Sequence, residues 1–208
     1  MRAITSTGAA AGLMALLAAV PAAANPLMLP TVYYTQDVEI TRPTDFAVRF
    51  EARHVYGGQR IRVDYGTLST LVDFDRRQTT IMMPRVRTYW WPQKITDPLA
   101  DGRRWIGVEA ETAEVIGEDT ILGRAVTRYR VKGRIFETRT PFDGDVWTTR
   151  ENIVVQVDGV GKGEDGTVGP VKLRTIQLVV APPAAEVLTV PSTFARARKS
   201  DQSWRDGD

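Results

Sequence analysis

The feature that most constrains this chain is a period of two. From residue 32 onward, apolar and polar residues alternate in short runs. Val32, Tyr34, Val38 and Ile40 share one face of an extended segment. Phe46, Val48, Phe50 and Ala52 share a face of the next, alternating with Ala47, Arg49, Glu51 and Arg53. Ile61, Val63 and Tyr65 follow, then Val72 and Phe74, then "TTIMMP" and "TYWWP". Turn residues separate the runs, as in "TRPTD", "VYGG", "YGT" and "DRRQ". Short links between strand-length runs predict sequential antiparallel strands in a meander.

The middle is mixed. An Asp–Pro step and good helix formers allow a short helix over residues 97–105, and residues 111–117 suit helix or strand. Two strands are expected next, "AVTRYRVKG" with Thr127, Tyr129 and Val131 on one face, and "DVWTTREN". "IVVQVDG" leads through a glycine-rich turn to "VKLRTIQLVVAP", which groups Ile176, Leu178 and Val180, and "EVLTVPSTF" reads as a last strand. The sum is a mainly β domain of about nine to eleven strands with one or two short helices. So many strands must manage their edges, and the short sequential links favour one curled sheet over a sandwich.

Both ends of the chain read differently. Arg2, the apolar stretch at residues 8–20, Pro21 and the small residues Ala22 and Ala24 make residues 1–24 a secretory signal peptide cut after Ala24. The apolar stretch is short of the roughly 18 residues a membrane span requires. Residues 25–195 then form a single domain, and residues 196–208, beginning "RARKSDQSWRD", read as a disordered tail.

With 27 Lys and Arg against 25 Asp and Glu, no basic excess points to nucleic acid. The chain has no cysteine, which removes a disulfide framework, a thiol nucleophile, a thiolate metal site and a lipid-modified N-terminal cysteine. His54 is the single histidine, with no G-x-S-x-G elbow to make it part of a triad and no second His for zinc. It reads as structural. The acidic stretches around Asp73, Asp143 and Asp165 coincide with turns and lack the calcium-loop pattern. The reading is therefore non-enzymatic, with no cofactor or metal.

One stretch stands apart. "IMMPRVRTYWWP", residues 81–92, is apolar on both faces of two predicted strands joined by "PRVR". Such a segment is covered on both sides. Met82, Met83, Tyr89, Trp90 and Trp91 form either packed core or the lining of a cavity for an apolar ligand, and Trp105 and Trp147 share the ambiguity. Phe46 and Phe50 are further candidates for the lining. Arg49 and Arg53 form either a polar hook at its mouth or part of a solvated face.

"AEVIGEDTILGRAVTRYRV", "DVWTTRENIVVQVDG" and "VKLRTIQLVVAPPAAEVLTVPSTF" together resemble the LolA/LolB-like superfamily of periplasmic lipoprotein-carrier-like proteins. The chain is similar to uncharacterised members of that fold, since no lipid-gating motif of the carrier itself aligns. The resemblance implies an unclosed antiparallel β-barrel of about eleven strands whose concave apolar face is plugged by helices. It also implies a periplasmic location and a role in binding a lipid, an acyl chain or a lipidated partner such as a lipoprotein. The alternative is an envelope interaction or assembly protein whose aromatic cluster is packed core.

Overall fold

The computed structural model describes residues 28–43, 48–90, 93–135, 139–163 and 165–197, the side chains of 48–50 and 98–101 excepted. The signal peptide read at 1–24 lies outside the described residues, as do Phe46 and Trp91.

The alternating runs fold into two antiparallel meanders. The first comprises β1 (Tyr34–Arg42), β2 (Val48–Tyr56), β3 (Arg60–Tyr65), β4 (Leu68–Asp73), β5 (Gln78–Met83) and β6 (Thr88–Tyr89), with β7 (Gln93–Lys94) returning against β5. Helix α1 (Pro98–Ile106) follows, with proline at its first position, where no N–H bond is lost. The second meander comprises β8 (Val108–Ile121), β9 (Arg124–Ile135), β10 (Thr140–Thr149), β11 (Val154–Lys162) and β12 (Val168–Val179). A short β13 (Ala195–Arg196) runs parallel to β6.

Among the described residues all thirteen strands belong to one sheet, in which β1 pairs with β12 and the ends of the order, β13 and β8, do not meet. The architecture is thus the unclosed antiparallel sheet that the sequence suggested, with ten strands longer than two residues. The ambiguous segment 111–117 is strand. Apart from the bulged Glu111 and Ile116 it is paired with β9, through a Leu122–Gly123 turn whose positive φ values (51° and 71°) suit a two-residue hairpin.

Two expectations are corrected. "EVLTVPSTF" forms no strand. Residues 185–188 make a single 3-10 turn, and only Ala195–Arg196 rejoins the sheet. The prolines at 182, 183 and 191 lack the N–H that a paired strand donates. Ile176, Leu178 and Val180 do not share a face, because a bulge between Asp37 and Val38 sets Val38 opposite Thr175 and Asp37 opposite Gln177. Ile176 is the extra residue and turns outward, 48% exposed, while Leu178 stays with the core. Of the tail read at 196–208, Arg196 lies in β13 and Ala197 is buried, and the remainder lies outside the described residues.

The β1–β12 ladder is the seam between the meanders, running from Thr35 opposite Val179 to Thr41 opposite Lys172. Gln36, fully buried, closes the irregularity beside the bulge. Its Nε2 donates to the Val154 carbonyl (2.8 Å) and to Thr175 Oγ1 (2.7 Å), and Thr175 Oγ1 donates to the Val155 carbonyl (2.6 Å). Three strands are thereby tied at the point where β11–β12 pairing ends.

The inner face of the curl is apolar with a polar row across it. Register sets Gln36 opposite His54, His54 opposite Val63, Val63 opposite Thr70 and Thr70 opposite Ile81. One core cluster joins β1 and β2 to the second meander through Val38, Ile40, Val131, Val146 and Leu173. There, glycines at 144 and 159 leave room for the Phe142 ring, which a Cβ on either would meet at 2.8 and 2.5 Å. A second cluster gathers Tyr34, Ile61, Val72, Ile106 and Trp147. Helix α1 enters it through Ile106, and Trp105 stacks on Tyr65 with ring centroids 6.2 Å apart.

The outer face is charged and cross-linked. Asp145 pairs with both Arg128 and Arg130, Lys132 with Asp143, and Arg53 with Asp37. Arg53 lies 57% exposed in this ladder, and its guanidinium pKa is raised by the hydrogen bond to Asp37. That places it on the solvated face.

Two stability predictions follow from the interior. Replacing Gln36 with Leu leaves the Val154 carbonyl and the Thr175 hydroxyl short of a donor, and should cost about 1–3 kcal/mol in urea unfolding. An unchanged midpoint would contradict the role given to Gln36. His54 is buried, and burial lowers its pKa to about 4, an effect partly opposed by the Asp37 carboxylate. Between that value and 6.5 the unfolded chain binds a proton that the folded chain does not, so stability falls as pH drops through this window. From pH 7 to pH 5 the contribution is about 2 kcal/mol. The wild type should lose that much more than His54→Gln over the same interval, measured by urea unfolding at both pH values.

Candidate functional site

Those of the singled-out residues that are described lie at four places, the β5–β6 pair, β10, α1 and β2. In the 81–92 stretch, β5 and β6 are joined by a 3-10 turn at Pro84–Val86, and Met82 stands opposite Tyr89. The backbone N–H of Trp90 donates to the Ile81 carbonyl, so Ile81, Met83 and Trp90 take the inner face and Met82 and Tyr89 the outer.

The cover on the outer side is the chain segment 182–197. Arg62 Nη1 donates to the Val187 carbonyl (3.0 Å) and Arg60 Nη1 to the Leu188 carbonyl (3.2 Å). Both guanidiniums are aimed by carboxylates, Arg62 by Asp64 and Arg60 by Asp73. Leu188 lies against Gly57, where any side chain would collide with it. Ala195 and Ala197 donate to the carbonyls of Arg87 and Tyr89. Beneath this strap Met82 is fully buried, while Tyr89 borders a polar hollow of about 390 Å³ with Arg60, Arg76 and Thr189. The two-sided apolarity is therefore a strand pair packed between the inner core and a strap.

Trp90 and Trp147 are also buried, at 5% and 6% exposure. Register places Trp147 between Arg128 and Gln156, and the Arg128 guanidinium lies 5.0 Å from its ring centroid. Met83, Tyr89 and Trp105 are half-buried. Arg49 and Phe50 sit in β2, opposite Thr41 and Ile40. No single lining collects these residues: Met82, Trp90 and Trp147 are enclosed by protein, and Trp105 and Trp147 stand apart from the β5–β6 pair.

An accessible apolar cleft exists elsewhere, at the end of the seam. Antiparallel pairing sets Thr35 opposite Val179, which brings the residues before β1 alongside those after β12. The end of β2 completes the group, because Tyr34 stands opposite Tyr56. The cleft encloses about 550 Å³ and is lined by Thr31, Val32, Tyr33, Tyr56, Gly58, Val180, Ala181 and Pro182. That volume is within the range of small-molecule sites, roughly 300–1,000 Å³.

Local chemistry explains its walls. Gly58 has φ +76°, a left-handed conformation, and a Cβ there would meet the Tyr33 ring at 2.9 Å. Tyr34 and Tyr56 stack with centroids 6.0 Å apart, which fixes the floor. Burial raises the Tyr56 phenol pKa, with a smaller contribution from Tyr33, so the Tyr56 hydroxyl stays protonated and can donate to a ligand oxygen at neutral pH. Thr31 holds the entering segment in place through its N–H to the Glu151 carbonyl (3.0 Å). Tyr33, Val179 and Val180 remain 47%, 45% and 36% exposed around the mouth. Sequence reasoning missed this site, although the apolar run before Pro182–Pro183 breaks the alternation there.

Other hollows offer different chemistry. A groove of about 450 Å³ on the outer face carries Asp37, Glu51 and Asp64 beside Arg53. Among the described residues no group of three or more His, Cys, Asp or Glu side chains could hold a metal ion. No described helix is long and apolar enough to cross a membrane.

No protein-family model matches the chain, and no curated protein sequence does. Similar solved structures include MucB in complex with periplasmic MucA, at 14% identity over 79% of this chain and 56% of that one, TM-score 0.40. A second is the MucA/MucB complex of Pseudomonas aeruginosa, at 13% identity over 80% and 58%, TM-score 0.41. A third is a LolA superfamily protein from Nitrosomonas europaea, at 10% identity over 78% and 92%, TM-score 0.36. The chain spans a little over half the length of the two complexed chains it matches. The functional reading rests on the cleft and not on these similarities.

Proposed function

We propose that this is a periplasmic, non-enzymatic binding protein that takes a lipid, an acyl chain or the acyl group of a lipidated partner into the cleft between Tyr33, Tyr56 and Val180. The observation that supports the reading is the lining itself: aromatic and aliphatic walls at the end of the seam, left accessible while most other large apolar side chains are packed away. The periplasmic location rests on the sequence pattern of residues 1–24.

The energetics suit an acyl ligand. Each buried methylene contributes about 0.8 kcal/mol. An eight-carbon chain would gain roughly 6 kcal/mol before the entropic cost of association. The phenols of Tyr33 and Tyr56 offer donors for a carboxylate or ester oxygen at the mouth. Specificity for chain length would then follow from how far the chain extends past Pro182.

Titration with a fluorescent fatty acid tests the proposal. The wild type should show saturable uptake. Tyr33→Ala and Val180→Asp should each raise the dissociation constant at least tenfold while shifting stability by about 0.5 kcal/mol or less, as exposed positions do. Trp90→Ala should instead lower stability by about 3–5 kcal/mol. Absence of uptake by the wild type, or equal uptake by the cleft variants, would overturn the reading.

A further inference from the structure

The sheet leaves one long strand unpaired on one side. β8 runs for fourteen residues at the end of the strand order and pairs with β9 alone among the described residues. From Glu111 to Thr120 every residue is exposed save the half-buried Gly117. Such an edge offers a row of open N–H and C=O groups to an incoming strand.

Its charge is one-sided. β8 carries Glu109, Glu111, Glu114, Glu118 and Asp119 and no Lys or Arg. Glu109 pairs with Arg139, and Glu111 approaches Arg134 at 4.0 Å. Glu114 stands opposite Arg130, but Arg130 is turned away to Asp145 (2.8 Å). Arg128, opposite Gly117, is held by the same carboxylate. Glu114 is therefore left without the cation that faces it in register, and Glu118 and Asp119 stand opposite the uncharged Thr127 and Val126. Val115 and Ile116, 50% and 43% exposed, add apolar surface between them.

We propose that β8 is a docking edge for an extended polypeptide segment that alternates basic and apolar residues, added as a further strand. Main-chain bonds supply the affinity of this mode and side-chain pairs its specificity. Charge selects the occupant. A second β8 would set carboxylates against carboxylates, so a copy of this chain is disfavoured, whereas Lys or Arg side chains meet Glu114, Glu118 and Asp119. The bulges at Ala110/Thr112 and Val115/Gly117 break the edge into two regular stretches, 112–115 and 117–121, so the added strand pairs over four or five residues at a time. The inference is independent of the cleft, which lies at the β1–β12 seam.

The test uses the full chain and two labelled ten-residue peptides, one alternating lysine with valine and the other glutamate with valine. At low ionic strength the lysine peptide should bind, slow amide exchange within residues 112–121, and release on adding salt. The double variant Glu114→Lys, Glu118→Lys changes only exposed side chains. It should weaken lysine-peptide binding at least tenfold and gain affinity for the glutamate peptide. Equal binding by wild type and variant, exchange protection outside β8, or no binding would overturn the proposal. Self-association of the protein through β8 would likewise overturn it, by showing the occupant to be a second copy.

Discussion

The β1–β12 ladder carries the structure. Each meander alone is a run of local hairpins, and a single seam between strands far apart in sequence makes them one sheet. Such a contact must offset the entropy of closing most of the chain into a loop. The seam does so with a continuous ladder and with Gln36, whose amide ties β1 to β11 and β12 where the regular pairing is broken. Both N–H bonds of this fully buried amide land on fixed acceptors, while its Oε1 has no partner. The bulge that makes the gap also turns Ile176 outward and returns Leu178 to the core.

The seam also places the cleft. Residues 31–33 and 180–182 are neighbours only because β1 and β12 are paired, and Tyr56 joins them because β2 follows β1 back. A ligand there touches both meanders, so binding adds stability to the long-range pairing that joins them. The strap is a separate device. It covers the outer side of β2 to β6, where the charged ladder of the other strands gives way to Val55, Leu71 and Met82.

Much of this was legible in the alternation. Period two identified most of the strands and their sequential antiparallel pairing, the family resemblance implied the unclosed class, and the Asp–Pro step marked the helix. The two-sided apolarity of residues 81–90 correctly required cover on both sides. What covers the outer side was not legible, because residues 182–197 have no periodicity and are held by backbone carbonyls that Arg60 and Arg62 reach from a strand distant in sequence. The bulge was invisible for a related reason: an extra residue shifts the phase without changing composition. Ile176 and Leu178 look alike in sequence and have opposite environments. The cleft lay beyond reach because its walls come from three segments that meet only after the seam forms.

The central claim is that the apolar ligand sits at the end of the seam and not among the tryptophans. The most direct measurement is a set of intermolecular nuclear Overhauser effects between a 13C-labelled medium-chain fatty acid and the protein. Cross-peaks from the chain to the Val32 and Val180 methyls and to the Tyr33 and Tyr56 rings are the predicted result. Cross-peaks to Met83, Trp90 or Trp105, or none at saturating ligand, would contradict the account.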